Sequence, residues 1–391
     1  VKSKSFVMAG KKKKPRAPPQ QATAGPKPQN PKKKRGKKKS KSSGLQHLDE
    51  GFLKCAYAHV DFPQTGFRGI PDGTTENVFS LDNCSTLNIS VPKGETHYFL
   101  FLAVPQTRFY KASAKNAKGE SLGLDQEWWG YPYPTSNVMF HKPTGSSVVS
   151  SYGEEASQYR FASNFGEFTN VTPTLNQGGQ IRVVEARLAL TTVIQGSPTT
   201  TISGAFSTSF ELTGMPKNMD ENVYCDNAKN GAYFVMKNDS SEFKWCNVID
   251  TLKDELYIPM GNGGKLVVES TRSENPFTFH GLDSGFTAKI VAITAPSSAA
   301  QDFTLKTGQC VEYKPRPDTL LAKAAKLPPA LDQRSLAAYR AIAKSLPLAV
   351  PRSKNSGFWD WVKGAVRSIS GALSGIPGPV GLIAKGVNGI F

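Results

Sequence analysis

Reactive residue types occur throughout this chain, but not in the spacings that most enzymes use. The five histidines, His47, His59, His97, His141 and His280, each lack a second histidine three or four residues away, so no helical metal motif is visible. No GxSxG elbow, Walker loop or GxGxxG after a strand occurs, and Gly263-Gly264 and Gly285 read as turns. The cysteines (Cys55, Cys84, Cys225, Cys246, Cys310) are odd in number, widely spaced and without a CxxC pair. That pattern disfavours a disulfide framework or a zinc knuckle, and the five are expected to be reduced packing residues of an intracellular protein. Asp72 lies between Pro71 and Gly73, where an aspartate is ordinarily a turn former. Sequons begin at Asn83, Asn88, Asn170 and Asn238, yet no apolar stretch of signal-peptide length follows the basic N-terminus. Secretion is therefore not expected, and the sequons read as chance matches.

Two stretches carry chemistry of a different, multivalent kind. Of 48 Lys+Arg in 391 residues, 16 lie in residues 1–42, which contain no acidic residue, and the net charge of +17 falls to +1 over 43–391. The cations cluster as Lys11, Lys12, Lys13, Lys14 and Arg16, then Lys32, Lys33, Lys34, Arg35, Lys37, Lys38 and Lys39. So dense a positive charge releases counterions on meeting a phosphate chain, which points to nucleic-acid binding. With Phe6 as its only aromatic the arm cannot stack bases, so that binding should be non-specific. At the other end, Phe358, Trp361, Val362, Ala365, Val366, Ile369, Ala372, Leu373 and Ile376 recur at helical spacing opposite Asp360, Lys363 and Arg367. A Trp-headed apolar face flanked by cations suits a membrane interface as well as it suits core packing.

The elements that must position these stretches divide into four. Residues 1–43, with few large apolar side chains to offset the entropy of ordering, are expected to be a disordered basic arm. Residues 44–316 read as β throughout, with β-branched or alternating runs such as 78–91, 97–104, 180–194, 287–294 and 303–313 punctuated by Gly, Pro and Asn turns. The class is all-β, a sandwich with long loop insertions for which a jelly roll is the natural form. Residues 317–355 form a proline-rich connector and then a helix that Asp332 can cap and Pro347 stops, and 356–391 hold the amphipathic segment. No run of 18 apolar residues is present.

Several motifs resemble one family in combination. Gly51-Phe52-Leu53-Lys54-Cys55-Ala56-Tyr57-Ala58, then Asp61-Phe62 and Gly69-Ile70-Pro71-Asp72, are similar to the start of the capsid shell domain of insect nodaviruses, the alphanodaviruses. Tyr159-Arg160-Phe161-Ala162-Ser163 and Cys310-Val311-Glu312-Tyr313-Lys314-Pro315 resemble two of its shell strands. Tyr339-Arg340 with 343–350 is similar to the helix before that family's cleavage junction, while Asn355-Ser356-Gly357-Phe358-Trp359 and 376–381 resemble its self-cleavage site and membrane-active peptide.

The resemblance implies a capsid precursor of a viral jelly-roll type. Such a protein assembles as a homo-oligomer into a non-enveloped T=3 icosahedral shell in the host cytoplasm, resides in the virion and packages viral single-stranded RNA on its basic arm. It implies one autocatalytic cut of aspartic type, with Asp72 as the acid and Asn355-Ser356 as the bond, releasing a peptide whose Phe358, Trp359, Trp361, Val362 and Ile369 meet a host membrane. It also implies calcium between subunits. Here Glu242-Phe243-Lys244 departs from the family's acidic pair, since Lys repels a hard cation, and leaves Glu154, Asp220 and Glu242 as the carboxylates to hold it. Without the resemblance, two other readings compete. An RNA-binding β-sandwich protein would leave the amphipathic terminus unexplained, and a pore-forming protein would leave the polycation unexplained.

Overall fold

A computed structural model describes residues 50–352, except 60, 63–65, 115–123, 125, 134–154, 196–206, 218, 220–221, 241, 249–256, 262 and 268–280, and also residues 360, 362 and 364. Fifteen strands dominate it: β1 (Phe79–Val91), β2 (Thr96–Phe101), β3 (Thr107–Ala114), β4 (Glu127–Pro132), β5 (Ala156–Asn170), β6 (Gln180–Ala186), β7 (Ala189–Gln195) and β8 (Ser207–Thr213). They continue as β9 (Val223–Asn227), β10 (Ala232–Val235), β11 (Cys246–Asn247), β12 (Tyr257–Pro259), β13 (Lys265–Val267), β14 (Ala288–Thr294) and β15 (Gln301–Pro315). The α-helices among the described residues include α1 (Glu50–Tyr57), α2 (Leu320–Ala324) and α3 (Gln333–Ser345).

One sheet runs β1-β15-β5-β10, with β11 also on β5, and the larger runs β12-β13-β4-β3-β2-β14-β6-β9, while β7 and β8 form a separate ribbon. The first long strand thus pairs antiparallel with the last, from Phe79 opposite Tyr313 to Val91 opposite Gln301. Phenylalanines fill the space between the sheets: Phe99 and Phe101 of β2 meet Phe168 of β5 edge-on, and Phe234 of β10 lies 4.8 Å from Phe101. Removing each such ring from water contributes roughly 2–3 kcal/mol.

All of β2 is buried, although alternate side chains leave a strand on opposite faces. Tyr98 and Leu100 point away from the inter-sheet core into a second cluster with Trp128, Leu212, Ile258 and Met260. A third cluster coats the outer face of the β1-β15-β5 sheet, where Phe52, Leu53 and Tyr57 of α1 pack with Leu336, Tyr339 and Ile342 of α3. Asp332 caps α3 by accepting hydrogen bonds from the backbone of Arg334 and Ser335, as the sequence predicts.

An irregularity in β5 sets up the site. Val311 pairs with Phe161 but Cys310 pairs with Ser163, so Ala162 is the extra residue of a β-bulge. The bulge shifts the alternation, so that Tyr159, Phe161 and Phe168 all face the inter-sheet core while Arg160 is turned toward the helices.

Candidate active site

Arg160 and Glu312 stand directly opposite each other across the β5–β15 ladder, and both are almost fully buried. Nε of Arg160 donates to Glu312 Oε2 at 2.5 Å, and the guanidinium reaches outward to Asp72, by Nη1 to Oδ2 and by Nη2 to Oδ1 at 3.2 Å. The same side chain donates to Thr74 Oγ1 at 3.3 Å and lies 4.2 Å above the ring of Trp245. One cation therefore joins two carboxylates, one sealed in the sheet and one at its rim.

The Gly69-Ile70-Pro71-Asp72 loop is bent to fit this pair. Glu312 Oε1 accepts the backbone N–H of Ile70 at 2.7 Å, and Gly69, at φ +121°, passes so close that a Cβ there would lie 2.5 Å from that oxygen. Asp72 turns back over the loop, its Oδ1 accepting from the Thr74 hydroxyl at 2.8 Å and the Thr74 backbone at 3.2 Å. The turn-former reading of Asp72 is thus realised alongside its contact with Arg160. The start of α3 is tied to the same loop, since Asp332 donates its N–H to the Pro71 carbonyl at 3.0 Å.

Charge is distributed unevenly over the two acids. Burial pushes the Asp72 carboxyl up, but the hydrogen bonds and charge of Arg160, aided by Thr74, outweigh it and hold the group below its usual range. For Glu312 burial wins over Arg160 and Ile70, and the carboxyl is raised. In the single chain the carboxyl raised by desolvation is thus that of Glu312 and not that of Asp72. Arg160 and Glu312 were visible in the sequence only as parts of strand motifs. Their pairing spans 152 positions, a separation no local pattern reports.

Of the remaining candidates, Val362 is buried in the α1–α3 cluster, which also contains Ile70. Arg352 reaches back to Glu167 of β5 at 3.4 Å. Asn355, Ser356, Phe358, Trp359, Trp361 and Ile369, together with Lys11, Lys12, Lys13, Lys14, Arg16, Lys32, Lys33, Lys34, Arg35, Lys37, Lys38 and Lys39, lie outside the described residues, as do Glu154 and Asp220. Glu242 is exposed and is not in the group of three ligating side chains found among the described residues. The cysteines are free, as expected, but Cys84 and Cys225 are exposed and so are not packing residues.

The all-β fold thus holds a buried Arg160–Glu312 pair that carries Asp72 at its rim, in a loop bonded to the start of α3. Residues 45–391 match the Peptidase A6 family, and the chain belongs to it. Its relatives include capsid protein alpha of Pariacoto virus, 27% identical over 384 residues that cover 96% of this chain and 92% of the relative. Capsid protein alpha of Flock house virus is also 27% identical, over 369 residues covering 87% and 82%. The resemblance to insect nodavirus capsid precursors therefore holds across nearly the whole chain. Among solved structures, infectious bursal disease virus Gx strain superposes with a TM-score of 0.43 at 11% identity, covering 79% of this chain and 99% of that one.

Proposed function

We propose that this chain is a capsid precursor that assembles into a T=3 icosahedral shell of jelly rolls, packages single-stranded RNA on residues 1–43, and cuts itself once at Asn355-Ser356. The 36-residue product, 356–391, then acts on a host membrane. The pairing of first strand with last, and of β2 with β14 and β14 with β6, supports the jelly-roll reading.

The observation that carries the cleavage reading is Asp72 at the rim of a buried Arg160–Glu312 pair, in a loop pinned to α3. The bond itself falls between two anchors, Arg352 on β5 and Val362 in the cluster that holds Ile70. In the cut, the Asn355 side-chain nitrogen attacks its own backbone carbonyl carbon. The bond to Ser356 nitrogen breaks as that nitrogen takes a proton from the acid, the attacking nitrogen gives up one of its own to the carboxylate so formed, a succinimide remains, and water later opens it. Asp72 in its protonated form polarises the carbonyl and supplies the proton. Because Arg160 keeps Asp72 ionised in the single chain, the acid is inactive until a neighbouring subunit desolvates it, which couples cleavage to assembly. No separate nucleophile is required and each chain turns over once.

Particles made from Asp72→Asn chains should assemble and stay uncut when followed by mass spectrometry over days. Asp72→Asn particles cleaving at the wild-type rate would remove Asp72 from the mechanism.

A further inference from the structure

Away from Asp72, four ligating side chains from three parts of the chain converge beneath α1. Cys55 lies on α1 and His59 four residues later, in the turn that follows it; Asp82 of β1 and Cys310 of β15 are direct cross-strand partners. One ring nitrogen of His59, Nδ1, is 4.0 Å from the Cys310 sulfur, and the other, Nε2, is 2.8 Å from Asp82 Oδ1. The ligating atoms of His59, Asp82 and Cys310 all lie within 4.8 Å of one another, and the Cys310 thiol also reaches the backbone carbonyl of Cys55 at 4.0 Å, which sets α1 against the trio. Cys55, His59 and Cys310 are between 0% and 2% exposed. Asp82 Oδ1 is buried too and, despite its nearness to His59, makes no aligned hydrogen bond.

We propose that Cys55, His59, Asp82 and Cys310 bind a structural zinc-class divalent cation. A tetrahedral ion with bonds of about 2.0–2.3 Å sets its donors roughly 3.3–3.8 Å apart, and the ligating atoms of His59, Asp82 and Cys310 already lie within 4.8 Å of one another, leaving the Cys55 thiol to turn in as the fourth donor. Two sulfurs and an imidazole select a borderline-soft ion over calcium or magnesium. Four protein donors in a closed pocket leave no open position for substrate, which makes the site a staple and not a reaction centre. Its mechanical effect follows from where the donors sit, since the ion would fasten α1 to the β1–β15 edge beneath it. The sequence concealed the site because its two cysteines are 255 positions apart and only Cys55 and His59 share a local spacing.

Full-length particles, purified without chelator, should carry about one zinc per chain by elemental mass spectrometry. Exchange with cobalt should give tetrahedral ligand-field bands and a thiolate-to-metal charge-transfer band. Cys310→Ser and Asp82→Ala should lower zinc content at least tenfold, whereas His59→Cys, which keeps a donor, should retain the metal with an altered cobalt spectrum. Wild-type particles without zinc and without a charge-transfer band on cobalt addition would overturn the proposal. A Cys55–Cys310 disulfide in freshly purified particles would overturn it as well.

Discussion

Arg160 is shared between two carboxylates with opposite tendencies, and this sharing makes Asp72 sensitive to its surroundings. For stability, Asp72 is depressed in the fold, so its contribution is present above the ordinary carboxylate range and is lost as pH falls through the lowered value. For the proposed cut the demand is reversed, because only protonated Asp72 can donate. Cleavage in assembled particles should therefore accelerate as pH falls from neutrality. Arg160→Met alone strands buried Glu312 and should cost about 3–5 kcal/mol in thermal unfolding, whereas the paired change Arg160→Met with Glu312→Leu should recover most of it. In that double variant Asp72 retains burial without its cation, so its cleavage profile should move to higher pH. An unmoved profile in particles of the double variant would show that Arg160 does not set the acid.

At the scale of elements, the site depends on a loop and a helix start that fix each other. Gly69→Ala would place a Cβ against Glu312 and force a φ of +121°, so it should cost about 2 kcal/mol or more, whereas Asp332→Ala should cost about 1 kcal/mol by uncapping α3. Thermal unfolding of the two variants checks that ranking. What the sequence made legible followed from period and punctuation. The run that became β14 is rich in β-branched residues, those that became β1 and β15 alternate along much of their length, and α3 is bracketed by a capping Asp332 and by Pro347. The run 180–194, read as one strand, is two, β6 and β7, separated at Arg187-Leu188. Helix α1 escaped notice because its eight residues are too few for periodicity and Phe52, Leu53, Cys55, Ala56 and Tyr57 are buried nearly all round. The bulge at Ala162, which turns Arg160 toward Asp72, depends on the register with β15, information that exists only once two distant strands are paired.

For the molecule as a whole, the question is what the proposed cut at Asn355-Ser356 would serve. Val362, beyond the proposed bond, is 1% exposed and belongs to the same buried cluster as Phe52, Tyr339, Ile342 and Ile70 of the Asp72 loop. Burial of one valine contributes only about 1.5–3 kcal/mol, and such contacts are strong chiefly because the covalent tether keeps the helix nearby after each opening. Cutting Asn355-Ser356 removes that local concentration without disturbing either sheet. The peptide can then leave and present Phe358, Trp359, Trp361 and Ile369 to a bilayer interface while Lys363 and Arg367 stay with headgroups. Asn355→Ala particles should thus be as heat-stable as the wild type yet release far less dye from liposomes, with the synthetic 356–391 peptide restoring leakage when added separately. Equal leakage from uncut and mature particles, measured at matched particle number, would mean that the helix reaches the membrane while still tethered and that cleavage serves some other step.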